Sequence, residues 1–270
     1  RKEEFIMKGE LSLHICGCRG SRSVFGPEFT EFGGQTTCFV LKKANYALVL
    51  DCGTGLDNAR DLLAGCSAVD VVVTHWHYDH VMGLMDWSVF PAGAKLRFFV
   101  SSDAYNLSFD ALSQLFRHPF WPVDPTLRVV RQPVKWECPV SLRPGVKVTF
   151  LPAPHPDGSS VLDLSVFDKH ICVLCDFEHN REFPEEILHN CDLLLYDGMY
   201  TDDEYPAHVN WGHSTWQEGC RLANRVEPAR LLITHHEPRR TDSQLRALEQ
   251  EAKKLFPAAA FARAGMKITF

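Results

Sequence analysis

The six residues His75-Trp76-His77-Tyr78-Asp79-His80 constrain this chain more than any other stretch. They follow the run VDVVVT, whose β-branched residues read as a buried strand, so three imidazoles and a carboxylate crowd the turn where that strand ends. With 13 histidines in 270 residues, such crowding is a poor candidate for coincidence. Alternate positions of an extended segment share a side. His75 and His77 can therefore face one metal ion while Asp79 and His80 turn toward a second, which is how one loop begins a dinuclear site.

The remainder of the chain supplies many strands. Short β-branched runs separated by turn residues begin at Leu11, Cys38, Ala47, Val69 and Leu96, and again at Val146, Val161, His170, Cys191 and Ala229. Helical patterns are fewer: Gly55 to Leu63, Asp103 to Phe116, Pro184 to Leu188, Thr215 to Val226 and Ser243 to Phe256. No linker or charge block divides the strand-rich first half from the alternating second half, which predicts one α/β domain over residues 7–270. Residues 1–6, ahead of Met7, are set aside as a non-native leader. The proline-rich stretch from His118 to Pro139 reads as a surface loop or lid, with Phe120 and Trp121 as packing residues.

At 45% hydrophobic and 23% charged, the composition excludes disorder and fibres. A chain of this length buries roughly three quarters of its unfolded surface, so any metal it binds serves function more than folding. The net charge of −6 offers no general attraction to nucleic acid or anionic membrane. No apolar run approaches about 18 residues and no signal-peptide core is present, so a cytoplasmic location is expected. The ten cysteines lie scattered, several inside apolar runs, and read as reduced core residues. In particular, Cys172 and Cys175 sit three apart on a strand and point to opposite faces, so they do not chelate together.

THWHYDH resembles the H-x-H-x-D-H signature of the metallo-β-lactamase superfamily, and further motifs of that family can be found along nearly the whole chain. Asp51 in LVLDCGTGL looks like the acid that buttresses the metal loop, His155 in LPAPHPDGSS like the next histidine, Asp176 in VLCDFEH like the bridging aspartate, and His235 in LLITHHEP like the last histidine. The resemblance implies a four-layer αβ/βα sandwich in the α/β class. It also implies one ion on His75, His77 and His155, a second on Asp79, His80 and His235, and Asp176 bridging both. His236 is the alternative to His235. Imidazole and carboxylate donors without thiolate suit two divalent ions, Zn²⁺ first, with Mn²⁺ or Fe as alternatives.

Within the superfamily the chain looks closest to the phosphodiesterase branch, resembling RNase Z-like and phosphoribosyl cyclic phosphate phosphodiesterase-like proteins. GCRGSRSVFGPEFTEFGGQTTCFV and GHSTW at Gly212 carry that likeness. Two departures leave the substrate open: His155 is followed by Pro-Asp-Gly, and Asp197 in LLLYDGMY stands where RNase Z has an acid of a different motif. The expected activity is hydrolysis of a small or cyclic nucleotide-like phosphodiester by a metal-bound hydroxide. Asp79 belongs to the catalytic set, His213 protonates the leaving group and Asp197 orients His213. A helix-capping role for His213 is the competing expectation. Arg19, Arg22, Arg239 and Arg240 are phosphate-clamp candidates.

The expected partner is a small-molecule phosphodiester, with neither membrane nor nucleic acid, and a homodimer is left open. A lactone or thioester hydrolase is the alternative. tRNA 3′-end processing is disfavoured because no long basic glycine-rich arm is found. A redox diiron centre is disfavoured because those proteins typically carry Glu where His77 stands, and a non-catalytic scaffold because no ligand is missing.

Overall fold

The computed structural model describes residues 9–101, 108–124 and 129–270. The chain forms two compact units. One runs through Ser23 and comprises also Gln35–Val134 and Arg263–Phe270, and the other comprises Val24–Gly34 and Lys135–Ala262. The first holds β1 (Ser12–Gly17), β2 (Cys38–Lys43), β3 (Tyr46–Leu50), β4 (Ala68–Val72), β5 (Lys95–Ser101) and β6 (Val130–Val134). The second holds β7 (Val140–Arg143), β8 (Val146–Ala153), β9 (Ser159–Val166), β10 (Lys169–Leu174), β11 (Leu193–Asp197), β12 (Leu231–Thr234) and β13 (Ala259–Phe261). The last strand, β14 (Lys267–Thr269), returns to the first unit.

Each unit therefore has its own mixed sheet, ordered β14-β1-β2-β3-β4-β5-β6 in one and β13-β12-β11-β10-β9-β8-β7 in the other. Parallel pairing joins β3 through β6, and β10 through β13. Strands β3, β4, β11 and β12 are buried at every position, which is why their sequences are continuous apolar runs and do not alternate. Of the two charged residues in these strands, Asp197 closes β11, and Asp70 in the middle of β4 accepts two bonds of 2.8 Å from Arg97 and one of 3.1 Å from the Tyr46 hydroxyl. These partners replace the water that a buried carboxylate loses.

The helices are α1 (Arg60–Leu63), α2 (Tyr78–Val81), α3 (Phe109–Leu115), α4 (Trp216–Val226) and α5 (Asp242–Leu255). α4 starts where Thr215 Oγ1 accepts the Glu218 amide, and α5 where Thr241 and Gln244 form a reciprocal capping box. Two expected helices are tighter than the pattern suggests. Thr54–Ala59 is 3₁₀ before α1 takes over, and Glu185–Leu188 is 3₁₀ throughout. The expected helix from Asp103 begins at Phe109, its residues 103–107 lying outside the described ones.

The expectation of a loop or lid over His118–Pro139 is corrected in part. Val130–Val134 pairs with β5 at the sheet edge, where Pro133 is tolerated because an edge strand can spare one amide. Residues 125–128 of that stretch lie outside the described ones. Nine cysteines are buried thiols, whereas Cys138 is exposed, the one departure from the expected core placement. No described helix is long and apolar enough to cross a membrane.

Candidate metal centre

In the first unit the metal-type side chains are organised around Asp51. Chain leaving β3 turns into the left-handed region at Asp51, φ +57°, a conformation that is costly for most residues and tolerable for aspartate. The buried carboxylate then accepts the Thr74 amide at 2.7 Å, the Thr74 hydroxyl at 2.9 Å and His80 Nδ1–H at 2.8 Å. That last bond places the His80 proton on Nδ1 and the lone pair on Nε2, the arrangement a metal ligand needs. Asp51 thus orients the loop through hydrogen bonds.

The rings of His75 and His77 lie 4.5 Å apart and those of His75 and His80 4.3 Å apart, while His80 Nε2 is 3.5 Å from Asp79 Oδ2. Asp79 Oδ2 also accepts the Ser21 amide at 2.7 Å, which ties the N-terminal loop to the motif. Gly53 permits this approach, because a Cβ there would strike the Asp79 carbonyl and the Thr36 hydroxyl.

In the second unit, His155 follows β8, Asp176 follows β10 and His235 follows β12. Asp176 and His235 both adopt the left-handed conformation, at φ +54° and +58°. The two carboxylate oxygens of Asp176 lie 3.3 Å from ring nitrogens of different histidines: Oδ1 from His155 Nε2 and Oδ2 from His235 Nδ1. Two donors bonded at about 2.0–2.2 Å to one tetrahedral ion sit roughly 3.4 Å apart, so this spacing suits a carboxylate shared between two ions. The imidazole and carboxylate donors fit Zn²⁺, Mn²⁺ or Fe.

His213 Nδ1 is 2.9 Å from Asp197 Oδ2, and Asp197 is itself fixed by the Met199 amide at 3.1 Å. The His213 ring stacks on His235 with centroids 4.9 Å apart, and Asp197, His213 and His235 offer ligand-type atoms within 4.8 Å of one another. Because Thr215 caps α4, the capping role considered for His213 is overturned. Gly212, at φ +89°, brings the chain against His155, whose ring a Cβ would meet.

His236 faces away from Asp176. Its Nε2–H donates to the Ala262 carbonyl at 2.8 Å, and its ring stacks on Phe261 at 5.4 Å. His235→Ala should therefore lower zinc affinity by at least ~10-fold. His236→Ala should lower thermal stability with little change in zinc affinity, as isothermal titration and melting together would reveal.

Two contributors escaped the sequence reading. Glu178, 2% exposed, accepts the Gly212 and Asn210 amides and the Tyr205 hydroxyl at 2.7–2.9 Å, holding the loop that leads to His213. Cys175 Sγ lies 3.4 Å from both Asp176 Oδ2 and His235 Nδ1. Its neighbour in sequence was the only available signal. The candidate phosphate clamps differ in placement. Arg19 is buried, Arg22 is exposed, Arg239 pairs with Glu237 and Arg240 pairs with Glu204.

Residues 46–236 match the family described as the Beta-lactamase superfamily domain. An octanoyltransferase of Porphyromonas gingivalis is 25% identical over 228 residues, covering 83% of this chain and 43% of that protein. A ribonuclease Z of Prochlorococcus marinus is 26% identical over 277 residues, covering 82% of this chain and 88% of the relative. Against several curated relatives, the octanoyltransferase included, the chain spans less than half of their length. The metallo-beta-lactamase fold protein YhfI from Bacillus subtilis has a TM-score of 0.74 at 17% identity, covering 97% of this chain and 100% of that one. The chain belongs to the beta-lactamase superfamily, with the fold of its metal-dependent hydrolases.

Proposed function

We propose that the chain is a two-metal phosphodiesterase for small or cyclic nucleotide-like diesters. On this reading His75, His77 and His155 would hold one ion, Asp79, His80 and His235 would hold the other, and Asp176 would contribute to both. The observation that carries this reading is the Asp176 carboxylate with a different imidazole 3.3 Å from each oxygen. When bound, the ions supply Lewis acidity and an activated water at neutral pH.

The chain's own groups do the rest. Asp51 keeps the His80 proton on Nδ1, and the Ser21 amide holds Asp79 in place. His213 delivers a proton from its other nitrogen to the leaving oxygen. Asp197, buried at 2.9 Å, stabilises the imidazolium that makes this delivery feasible.

A second reading, hydrolysis of a lactone or thioester, is favoured by one feature. A cavity of about 330 Å³ is lined by Tyr78, Met82, Met85, Phe116, Phe120 and Trp121, and Tyr78 lies between the motif residues His77 and Asp79. Such a surface suits an apolar substituent. Zinc- or manganese-loaded protein should cleave bis-p-nitrophenyl phosphate or a cyclic nucleotide at least tenfold faster than it cleaves acyl-homoserine lactones, thioesters or precursor tRNA. The activity should vanish on chelation. Preference for an acyl substrate would select the second reading, and preference for tRNA would restore the processing function. The wild type should also hold two more metal equivalents than a variant lacking His75, His80, His155 and His235.

A further inference from the structure

Residues 177–179, just past Asp176, hold the chain on both sides of His213. On one side, Glu178 Oε2 accepts the Gly212 amide at 2.9 Å, while Oε1 accepts the Asn210 amide at 2.7 Å and the Tyr205 hydroxyl at 2.8 Å. On the other, the Ser214 hydroxyl donates to the Phe177 carbonyl at 2.6 Å and lies 3.2 Å from His179 Nδ1. The Glu178 amide in turn donates to the carbonyl of Pro154, next to His155, at 3.0 Å. Glu178 is therefore the junction that ties together the segments carrying His155, Asp176 and His213.

We propose that Glu178 is a positioning residue for His213, setting where the proton donor stands relative to the Asp176 carboxylate. The inference rests on His213 being the general acid of a phosphodiesterase.

Glu178 is 2% exposed, and the two amides and the phenol it accepts from are all neutral. Burying a carboxylate among neutral donors is costly, and closing a surface loop does not by itself require one. What the carboxylate adds is grip: hydrogen bonds to an ionised acceptor are shorter and roughly twice as strong as neutral ones. Burial, together with the bond to Glu178, holds the Tyr205 hydroxyl above its ordinary pKa, so it stays a donor. The tolerance at His213 is narrow. Its Nδ1 lies 2.9 Å from Asp197 Oδ2 and 3.9 Å from Asp176 Oδ1, and its ring centroid is 5.6 Å from that of His155. A shift of the loop by about 1 Å takes the acid off its line to the leaving oxygen, and a misplacement of that size can cost about 10²-fold.

Kinetics at full metal loading test this. Glu178→Ala should lose roughly 10²-fold in kcat on a methyl- or ribose-leaving diester but less than about threefold on bis-p-nitrophenyl phosphate, with KM for both within about twofold of the wild type. In a His213→Ala background, Glu178→Ala should cost less than about twofold more, because the two residues act as one unit. Should Glu178→Ala fail to fold, Tyr205→Phe decides: it removes one of the three donors, keeps the ring against His179, and should show the same asymmetry at about three- to tenfold. Equal losses on both substrates, losses that add to those of His213→Ala, or losses explained by missing metal would overturn the inference. Leaving-group asymmetry present in His213→Ala but absent from Glu178→Ala and Tyr205→Phe would refute this inference alone. Its absence from His213→Ala as well would refute the general-acid reading and the role of Glu178 with it.

Discussion

Asp176→Ala is expected to lower phosphodiester turnover by at least ~10³-fold and to empty one or both hydrolytic metal positions, leaving the circular dichroism spectrum intact. The size follows from the charge this residue supports. An ion that polarises phosphate oxygens is worth several kcal/mol of transition-state stabilisation, and about 4 kcal/mol is ~10³-fold in rate. Asp176 is 1% exposed, and each of its oxygens has a histidine nitrogen 3.3 Å away, so alanine removes a donor from both sides at once. Its side chain belongs to neither sheet's apolar core, so the fold should persist. Elemental analysis beside steady-state kinetics gives the answer. Full metal content with wild-type turnover would eliminate the shared-carboxylate assignment.

His213→Ala should be selective for the leaving group. A nitrophenolate departs readily as an anion, whereas an alkoxide or ribose hydroxyl needs its proton, and general acid catalysis is typically worth about 10²–10⁴-fold. The variant should therefore lose roughly 10²–10⁴-fold in kcat on a methyl- or ribose-leaving diester, but less than about tenfold on bis-p-nitrophenyl phosphate. Asp197→Asn should show the same asymmetry more weakly, because it removes the charge behind the imidazolium and spares the ring. Equal losses on both substrates, with metal content unchanged, would make His213 a positioning residue.

Much of the candidate site was legible because chemistry and local pattern coincide. The VDVVVT run is followed directly by His75, the VKVTFL run leads to His155, the HICVLC run to Asp176 and LLIT to His235. A polar metal-type residue just past a buried apolar run can be recognised without knowing what surrounds it. The strand at Val130–Val134 was less legible because Pro133 and the surrounding prolines imitate a loop, and only pairing with β5 reveals the edge. The 3₁₀ turns at Thr54–Ala59 and Glu185–Leu188 share the apolar spacing of a short α-helix, so periodicity could not separate the two.

By itself, the sequence determined the α/β class, the order of the strands that precede the ligands and the identity of the candidate ligand residues. Tertiary structure decided what each side chain meets. Whether His235 or His236 faces Asp176 depends on a left-handed turn at His235 and on the Ala262 carbonyl, 26 residues away, that takes the other ring's proton. Glu178 becomes a clamp only because the Asn210 and Gly212 amides fold back onto it, and Arg240 is drawn to Glu204 rather than offered by its own segment. Strand and helix periodicity is a local property, written in neighbouring residues. Hydrogen-bond partners, ring stacks and left-handed backbone turns are set by residues tens of positions apart, and they acquire a definite geometry only when packing brings those residues together.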